Sequence, residues 1–497
     1  MKFTLENNLL VPQPLAKNKD YHKKLSELPI PPAPPPNQTF PYAKALQLFL
    51  SGRALLLDEI PFNLTQLHNH YKNGYISYTI SLTTTPNPHC HRCGNDKPYL
   101  FAKFHCHRCQ TKCTYCRNCI MMGRVSECTP LIKWTGPQPL PSQQPEPLHW
   151  NGTLSEGQQT ASEKVIEAVD NNSNLLVWAV CGAGKTEVLF QGINEALKNN
   201  KRVCIATPRT DVVLELAPRL QKVFPATLLS TQYGGSEQRH EYGQLVLSTT
   251  HQLYRYKEAF DVLIVDEVDA FPFSYDASLQ FAVQQARKPE SALIHLTATP
   301  DKKTQQQCKK GQQNYITIPA RFHRHPIPQP TLKWCGNWKR SIEKGKLPLQ
   351  IKKWTEQRLH KQKQALIFLP NIKTMEKALL LFQKLHPNIE SVHSEDLDRK
   401  AKVQDMRNQQ TPILLTTTIL ERGVTFPSID VAVLGAEDEI FTESALVQIA
   451  GRVGRSAQQP TGDISFYHFG RTKQMINALL HIEKMNKEAE KRGLIDG

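Results

Sequence analysis

The sequence lacks a long apolar segment. Within its 497 residues, no apolar run reaches the ~18–20 residues that a helix needs to cross a bilayer. Residues 1–8 also lack the apolar core of a signal peptide. These absences argue against a chain with membrane-spanning helices and favour an intracellular, soluble protein. No repeat of 20–50 residues is visible either, which argues against a solenoid.

Acidic residues are in deficit. Lys and Arg total 61 against 45 Asp and Glu, so the formal net charge is +16. Such an excess favours polyanionic partners, either nucleic acid or an anionic membrane face, although a generic basic surface would carry the same charge. The net charge alone therefore does not identify the partner, and a sequence motif is needed to do so.

Cysteine is scarce outside one segment. Eight of the twelve cysteines lie between residues 90 and 128, and the other four are scattered. A secreted disulfide scaffold would spread cysteines through a short chain, so metal binding is the better interpretation of the cluster. Two cysteines separated by two residues can share one tetrahedral Zn²⁺, so eight would hold two zinc ions. The candidate ligands are Cys90, Cys93, Cys106, Cys109, Cys113, Cys116, Cys119 and Cys128.

Short apolar runs alternate with helical spacing from Trp150 onward. This alternation predicts parallel sheets that are covered by helices on both faces, and the series is long enough for two such domains. We therefore predict an α/β protein with two parallel-sheet domains behind a Cys-rich module. The predicted regions are an N-terminal region with a Pro-rich segment (1–85), the Cys-rich zinc module (86–135), a Pro-rich linker (136–150) and the two sheet domains (151–315 and 316–497).

One segment has the pattern of a phosphate-binding loop. It follows a predicted strand and opens a predicted helix, and it reads Ala179-Val180-Cys181-Gly182-Ala183-Gly184-Lys185-Thr186. Glycines let backbone N–H groups point at phosphate oxygens, and the helix N-terminus adds positive potential. We expect Lys185 to reach the β- and γ-phosphates of ATP and Thr186 to hold Mg²⁺.

An acidic pair follows a later apolar strand. Asp266 and Glu267 come directly after Val262-Leu263-Ile264-Val265. An acidic turn after a buried strand is common and often has no catalytic role. Here a phosphate-binding loop is predicted upstream in the same sheet, which favours a role for the acidic pair in ATP hydrolysis. Asp266 is expected at the Mg²⁺ ion and Glu267 beside the attacking water as general base.

Further segments complete a pattern in a fixed order. Together they resemble the core of superfamily 2 helicases with a DEAD/DEAH-like box, which implies two RecA-like lobes over roughly residues 150–460. The segments are Leu154-Ser155-Glu156-Gly157-Gln158, Thr207-Pro208-Arg209, Ser248-Thr249-Thr250-His251-Gln252, Asp266-Glu267-Val268-Asp269, Thr297-Ala298-Thr299, Thr416-Thr417-Thr418-Ile419-Leu420-Glu421-Arg422-Gly423 and Gln448-Ile449-Ala450-Gly451-Arg452-Val453-Gly454-Arg455.

This resemblance implies individual roles. Gln158 would read the adenine, and Arg452 and Arg455 would reach the γ-phosphate from the second lobe. Asp269 would link the ATP state to the Thr297-Ala298-Thr299 segment. Thr425 stands where DEAD-box RNA helicases usually carry Asp, which weakens the case for a ribose contact there.

Three segments narrow the resemblance to the ComFA family of late-competence DNA-uptake ATPases. They are Asp266-Glu267-Val268-Asp269-Ala270-Phe271-Pro272, Ile419-Leu420-Glu421-Arg422-Gly423-Val424-Thr425-Phe426-Pro427 and Gly451-Arg452-Val453-Gly454-Arg455-Ser456. An N-terminal cysteine cluster fits that family, whereas the primosomal replication-restart helicase carries its cysteines between the lobes. The resemblance also assigns Cys90, Cys93, Cys116 and Cys119 to one zinc site, and Cys106, Cys109, Cys113 and Cys128 to an interleaved second one. Spacing alone leaves open a sequential partition.

The family implies an ATP-driven motor on single-stranded DNA in competent bacteria. It further implies ComFC and the ComEC membrane channel as partners, allows a homo-oligomer, and places the protein in the cytoplasm or on the inner face of the membrane. Two other hypotheses stay open at this point: a duplex-unwinding repair or restart helicase, and a zinc-bearing DNA-binding protein with an inactive ATPase core.

Overall fold

The structure is a computed structural model, and it describes residues 1–17, 22–140, 144–237, 241–422, 424 and 426–496. Pro141 of the predicted linker, Gly423 and Thr425 lie outside the described residues. The chain forms two compact units, each built from several segments. The first unit is Met1–Trp150, Ile166–Asn174 and Gln191–His295, and the second is Asn151–Val165, Leu175–Phe190 and Leu296–Gly497.

The N-terminal part of the first unit is made of small antiparallel sheets. β3, β9 and β4 form a three-stranded sheet, and β1–β2, β5–β6 and β7–β8 each form a two-stranded ribbon. The elements are β1 (Phe3–Glu6), β2 (Leu9–Pro12), α1 (Lys44–Leu50), β3 (Ala54–Leu56), α2 (Leu64–Lys72), β4 (Ile76–Ile80), β5 (Leu82–Thr83), β6 (His89–Cys90), β7 (Phe101–Cys106), β8 (Thr111–Cys116) and β9 (Pro130–Trp134).

A seven-stranded sheet follows along the chain. Its elements are α3 (Glu156–Asp170), β10 (Asn174–Ala179), α4 (Lys185–Lys198), β11 (Val203–Thr207), α5 (Thr210–Val223), β12 (Leu229–Gln232), β13 (Leu245–Thr249), β14 (Phe260–Val265), α6 (Ala277–Ala286), β15 (Arg287–Thr297), α7 (Lys302–Lys309) and β16 (Tyr315–Ile318). The strand order is β12-β13-β11-β14-β15-β10-β16. The pairs β12–β13, β13–β11, β11–β14, β14–β15 and β10–β16 run parallel.

A six-stranded parallel sheet completes the second unit, in the order β17-β22-β21-β18-β20-β19. Its elements are β17 (Thr331–Trp334), α8 (Trp338–Glu343), α9 (Leu349–His360), β18 (Ala365–Phe368), α10 (Ile372–Phe382), β19 (Glu390–Val392), α11 (Arg399–Arg407), β20 (Ile413–Thr416), β21 (Asp430–Leu434), α12 (Glu443–Ala450), β22 (Ile464–His468) and α13 (Lys473–Lys491).

Burial explains why these runs become central strands. Every residue of β11, β13, β18, β20 and β21 is buried, as expected where helices cover both faces of a parallel sheet. The predicted α/β class with two RecA-like parallel-sheet lobes is confirmed. Among the described residues, no helix combines the length and apolar composition needed to cross a membrane.

Candidate functional site

The predicted phosphate-binding loop turns between β10 and α4. β10 ends at Ala179 and α4 begins at Lys185, so the backbone reverses within five residues. Gly184 has a φ of 71°, and a methyl group there would lie 2.3 Å from the Nε2 atom of Gln158. Only glycine meets both conditions without strain, so the turn needs this residue.

Gln158, which lies on α3, forms hydrogen bonds that hold the loop in place. Its buried amide Nε2 donates to the carbonyl of Ala183 at 2.9 Å, and its Oε1 accepts the N–H of Ser155 at 2.8 Å. Both ends of the side chain are therefore engaged by backbone of this chain. A contact between Gln158 and an adenine would use the remaining hydrogen-bonding capacity of this amide, such as the second lone pair of Oε1.

The second unit also packs the arginine-bearing segment against the loop. The Cys181 thiol donates to Oε1 of Gln448 at 2.9 Å, near the end of α12. A methyl group at Gly451 would lie 2.3 Å from the Cβ of Cys181, so the two backbones approach closely at this glycine. The structure thus brings together two segments that are more than 260 residues apart in the sequence.

Arg452 and Arg455 flank Gly454 just after α12. The Arg452 side chain is buried, and its Nε donates to the carbonyl of Glu421 at 3.0 Å. Arg455 is half-buried, and its Nε donates to the carbonyl of Gly451 at 3.1 Å. Backbone carbonyls therefore orient both guanidinium groups within the second unit.

The acidic pair belongs to the first unit. Asp266 follows the last residue of β14, and its Oδ1 accepts the N–H of Glu267 at 2.8 Å. Glu267 has a φ of 56°, a left-handed conformation that costs a non-glycine residue roughly 1–2 kcal/mol. Strain of this kind is often kept where it aims a functional side chain.

Two exposed aromatic side chains follow the acidic pair. Phe271 is 76% exposed and Tyr275 is 77% exposed, and their ring centroids lie 6.5 Å apart. Large exposed rings are costly in water and are suited to stacking on bases. In the sequence, the signal for this aromatic pair is the spacing of the rings in Phe271-Pro272-Phe273-Ser274-Tyr275, of which Phe271 also belongs to a segment that carries the family resemblance.

The eight clustered cysteines form two sets of four. Within each set the sulfur atoms all lie within 4.8 Å of one another, and all eight residues are buried. The twelve cysteines, all described, form no disulfide. The grouping is the interleaved one: Cys90, Cys93, Cys116 and Cys119 in the first cluster, and Cys106, Cys109, Cys113 and Cys128 in the second cluster.

Their geometry fits a tetrahedral metal ion. Four sulfurs at about 2.3 Å from one zinc lie about 3.8 Å apart. The Cys90–Cys119 and Cys93–Cys116 sulfur pairs measure 3.9 and 3.7 Å, and the Cys106–Cys128 pair measures 3.6 Å. In the first cluster, the Asn95 and Asn118 amides each donate to a sulfur at 3.7 Å, as outer partners of thiolate ligands do.

The two clusters differ in their surroundings. The first cluster belongs to the same apolar core as sheet residues such as Phe260 and Leu263 of β14. The second cluster forms a small separate core with Phe104. A metal ion in the first cluster would therefore support the sheet of the first unit, whereas one in the second would support the β7–β8 ribbon.

A chain of ion pairs connects the first cluster to the short helix Thr250–Arg255. Arg92 stands between Cys90 and Cys93, is fully buried, and donates from Nη2 to both carboxylate oxygens of Glu59 at 2.9 Å. Arg255 donates to the same carboxylate at 2.7 Å, and it is the last residue of the short helix that also contains the final three residues of the segment Ser248-Thr249-Thr250-His251-Gln252.

Comparison with known proteins decides the family. Residues 37–133 match the model of the competence protein ComFA N-terminal domain. The chain is 48% identical over 451 residues to competence protein ComFA of Bacillus subtilis, which covers 90% of this chain and 97% of that protein. This chain belongs to the ComFA family. It is also 39% identical over 377 residues to competence protein ComFA of Streptococcus pneumoniae, covering 76% of this chain and 86% of that protein.

The remaining matches cover the ATPase core. Residues 151–302 match the type III restriction enzyme res subunit, and residues 349–457 match the helicase conserved C-terminal domain. A solved structure of a Saccharomyces cerevisiae Dbp5 variant bound to RNA and ADP BeF3 aligns with a TM-score of 0.50 at 16% identity, over 69% of this chain and 94% of that one. That likeness concerns the fold alone. The chain is a competence-related protein with ATP-dependent helicase domains.

Proposed function

We propose that this chain is an ATP-driven translocase on single-stranded DNA that powers the uptake of transforming DNA. The observation that carries the proposal is the contact of Cys181 with Gln448 and Gly451, because it joins the phosphate-binding loop to the arginine-bearing segment. Binding of ATP at this loop would therefore directly affect the position of Arg452 and Arg455, which follow Gly451. Membership of the ComFA family supports the place of this motor in competence.

The proposed ATP chemistry divides among named side chains. Lys185 compensates the β- and γ-phosphate charge, and Glu267 takes a proton from the attacking water. Arg452 and Arg455 stabilise the charge that develops as the γ-phosphate leaves. Thr186 and Asp266 offer the hard oxygen ligands that Mg²⁺ prefers, and Mg²⁺ would neutralise phosphate charge. Gln158, Ala179, Gly182, Ala183 and Gly184 would complete the cradle.

The proposed zinc sites are structural. Each has four buried cysteine sulfurs, the number that completes a tetrahedral zinc site, which is the pattern of a closed structural site rather than a catalytic one. We assign one zinc ion to each cluster. Zinc would hold together short ribbons that have little apolar core of their own.

DNA is proposed to be held mainly by its backbone. Thr207-Pro208-Arg209 in the domain 151–315 and Thr416-Thr417-Thr418 in the domain 316–497 would contact phosphates, and Phe271 and Tyr275 would stack on bases. Binding should weaken steeply with salt. Membership of the ComFA family suggests that ATP hydrolysis would draw single-stranded DNA through the ComEC channel, with ComFC as a partner. The protein would then work at the cytoplasmic face of the membrane.

The test is ATP hydrolysis with single-stranded DNA, with double-stranded DNA and without DNA. Stimulation by single strands, without strand separation on a forked duplex, supports the translocase. Efficient unwinding of the fork would favour the repair or restart helicase. Absence of hydrolysis in all three arms would favour the inactive, DNA-binding alternative.

Glu267→Gln should bind ATP with nearly wild-type affinity and hydrolyse it at least about 100-fold more slowly, because the amide cannot accept a proton from water. The measurements are nucleotide binding and single-turnover hydrolysis. Glu258→Gln is the matched control, since Glu258 is exposed and has a similar φ of 50°. Loss of ATP binding in Glu267→Gln would rule out the general-base role.

Arg455→Ala should keep ATP and DNA binding but lose DNA-stimulated hydrolysis by about 100-fold, because it removes positive charge that acts in the transition state. Steady-state hydrolysis with saturating single-stranded DNA measures this loss. The control is Arg340→Ala on α8, an exposed arginine of the same unit. Hydrolysis by Arg455→Ala at the wild-type rate would refute the proposed role of this arginine.

A further inference from the structure

Arg321 is a buried cation that no predicted motif contains. It lies three residues after the end of β16, and only 1% of its surface is exposed. Its Nη1 donates to the carbonyl of Gly454 at 2.6 Å. That carbonyl lies between Arg452 and Arg455 in the sequence, so Arg321 contacts the arginine-bearing segment directly.

The same side chain also lies on the phosphate-binding loop. The N–H of Phe322 donates to the carbonyl of Gly182 at 3.2 Å, which fixes the backbone beside the loop. A methyl group at Gly182 would lie 3.6 Å from Cγ of Arg321 and 3.7 Å from its Nε. The guanidinium therefore extends from the loop to Gly454 within the second unit.

Among the described residues, no carboxylate forms an ion pair with Arg321. Its Nε and Nη2 atoms are buried, and no described residue accepts a hydrogen bond from either of them. Burial lowers the pKa of Arg321 to about 10, with Arg455 adding to the depression and the Cys181 thiol opposing it, so the group is still cationic at neutral pH. A buried charge normally requires a paired anion.

We propose that Arg321 binds the β- and γ-phosphates of the nucleotide held by the loop. A polyphosphate would supply both the missing negative charge and acceptors for Nε and Nη2, and a guanidinium is suited to phosphate because its donors form a planar fork. The inference rests on the proposed function, since it adds a residue to the same ATP site. Because Arg321 contacts both the loop and Gly454, phosphate binding at Arg321 would influence the positions of Arg452 and Arg455.

The test compares Arg321→Met with the wild-type chain, without DNA. Titration calorimetry with ATP, ADP and AMP and thermal unfolding without nucleotide are measured for each. We expect Arg321→Met to bind ATP and ADP at least tenfold more weakly and AMP with unchanged affinity. Without nucleotide its unfolding temperature should be equal or higher, because an uncompensated buried charge has been removed. Arg321→Lys, which keeps the charge, should recover part of the ATP affinity.

Arg324→Met is the matched control. It lies three residues further on, is 39% exposed, and pairs with Asp496 at 2.7 Å, so its nucleotide binding should equal the wild type. Wild-type affinity of Arg321→Met for ATP would overturn the assignment, as would a variant that unfolds without nucleotide, because Arg321 would then be structural. A wild-type chain that binds no ATP would instead refute the proposed function itself.

Discussion

Lys185→Ala is expected to abolish DNA-stimulated ATP hydrolysis, with a loss of at least about 100-fold. In the proposed site, the ammonium at the start of α4 is the positive charge that would meet the β- and γ-phosphates, and no other side chain of the loop carries charge. Removing it leaves the polyphosphate charge uncompensated in both the bound state and the transition state. Both ATP affinity and turnover should therefore fall, measured by calorimetry and by phosphate release.

Lys198→Ala provides the control for this prediction. Lys198 ends the same helix, and its only described ion pair is a surface contact with Glu195 at 3.5 Å. Its removal should change helix stability by only a few tenths of a kcal/mol and leave hydrolysis unchanged. Turnover retained in Lys185→Ala, with this control intact, would refute the assignment of the loop.

Cysteine substitutions are expected to differ sharply between the two clusters. Cys119→Ser and Cys109→Ser should each release one of the two proposed zinc ions, since each residue is a buried member of a four-sulfur set. Cys119 lies in the core shared with β14, so its loss should destabilise the first unit by about 4 kcal/mol or more and reduce ATPase activity. Loss of Cys109 should affect only the β7–β8 ribbon and leave basal ATPase activity near wild type.

Metal analysis, thermal unfolding and basal hydrolysis on the same three preparations check this contrast. A zinc content near one per wild-type chain would contradict the two-site assignment. Equal destabilisation by Cys119→Ser and Cys109→Ser would contradict the role given to the shared core. The expected contrast comes from packing, because the two substitutions are chemically identical.

Much of the fold could be predicted from local pattern. The apolar run Val262–Val265, for example, became part of a buried parallel strand, because both faces of such a strand are covered and neither needs polar side chains. The loop from Ala179 to Thr186 could be recognised because its glycines, lysine and threonine are set by local backbone geometry and phosphate chemistry. The helicase and ComFA resemblance depended on segments of this local kind.

Long-range packing could not be predicted in this way. Spacing allowed two partitions of the eight cysteines, and only the paths of β6, β7 and β8 brought Cys90 and Cys93 to Cys116 and Cys119. The first cluster and β14 share one apolar core, but no sequence periodicity indicates this, because the contacts join segments more than 100 residues apart.

Neighbouring residues were therefore enough to predict the α/β class, a loop with the phosphate-binding pattern, an acidic pair after a strand and a set of cysteines that could hold metal. The tertiary structure alone decided which cysteines meet, how Cys181 joins Gln448 and Gly451, and where Arg321 lies. A lone arginine after a strand resembles any surface arginine in sequence. Its burial between Gly182 and Gly454 arises only when distant segments pack, and that packing gives its charge a function.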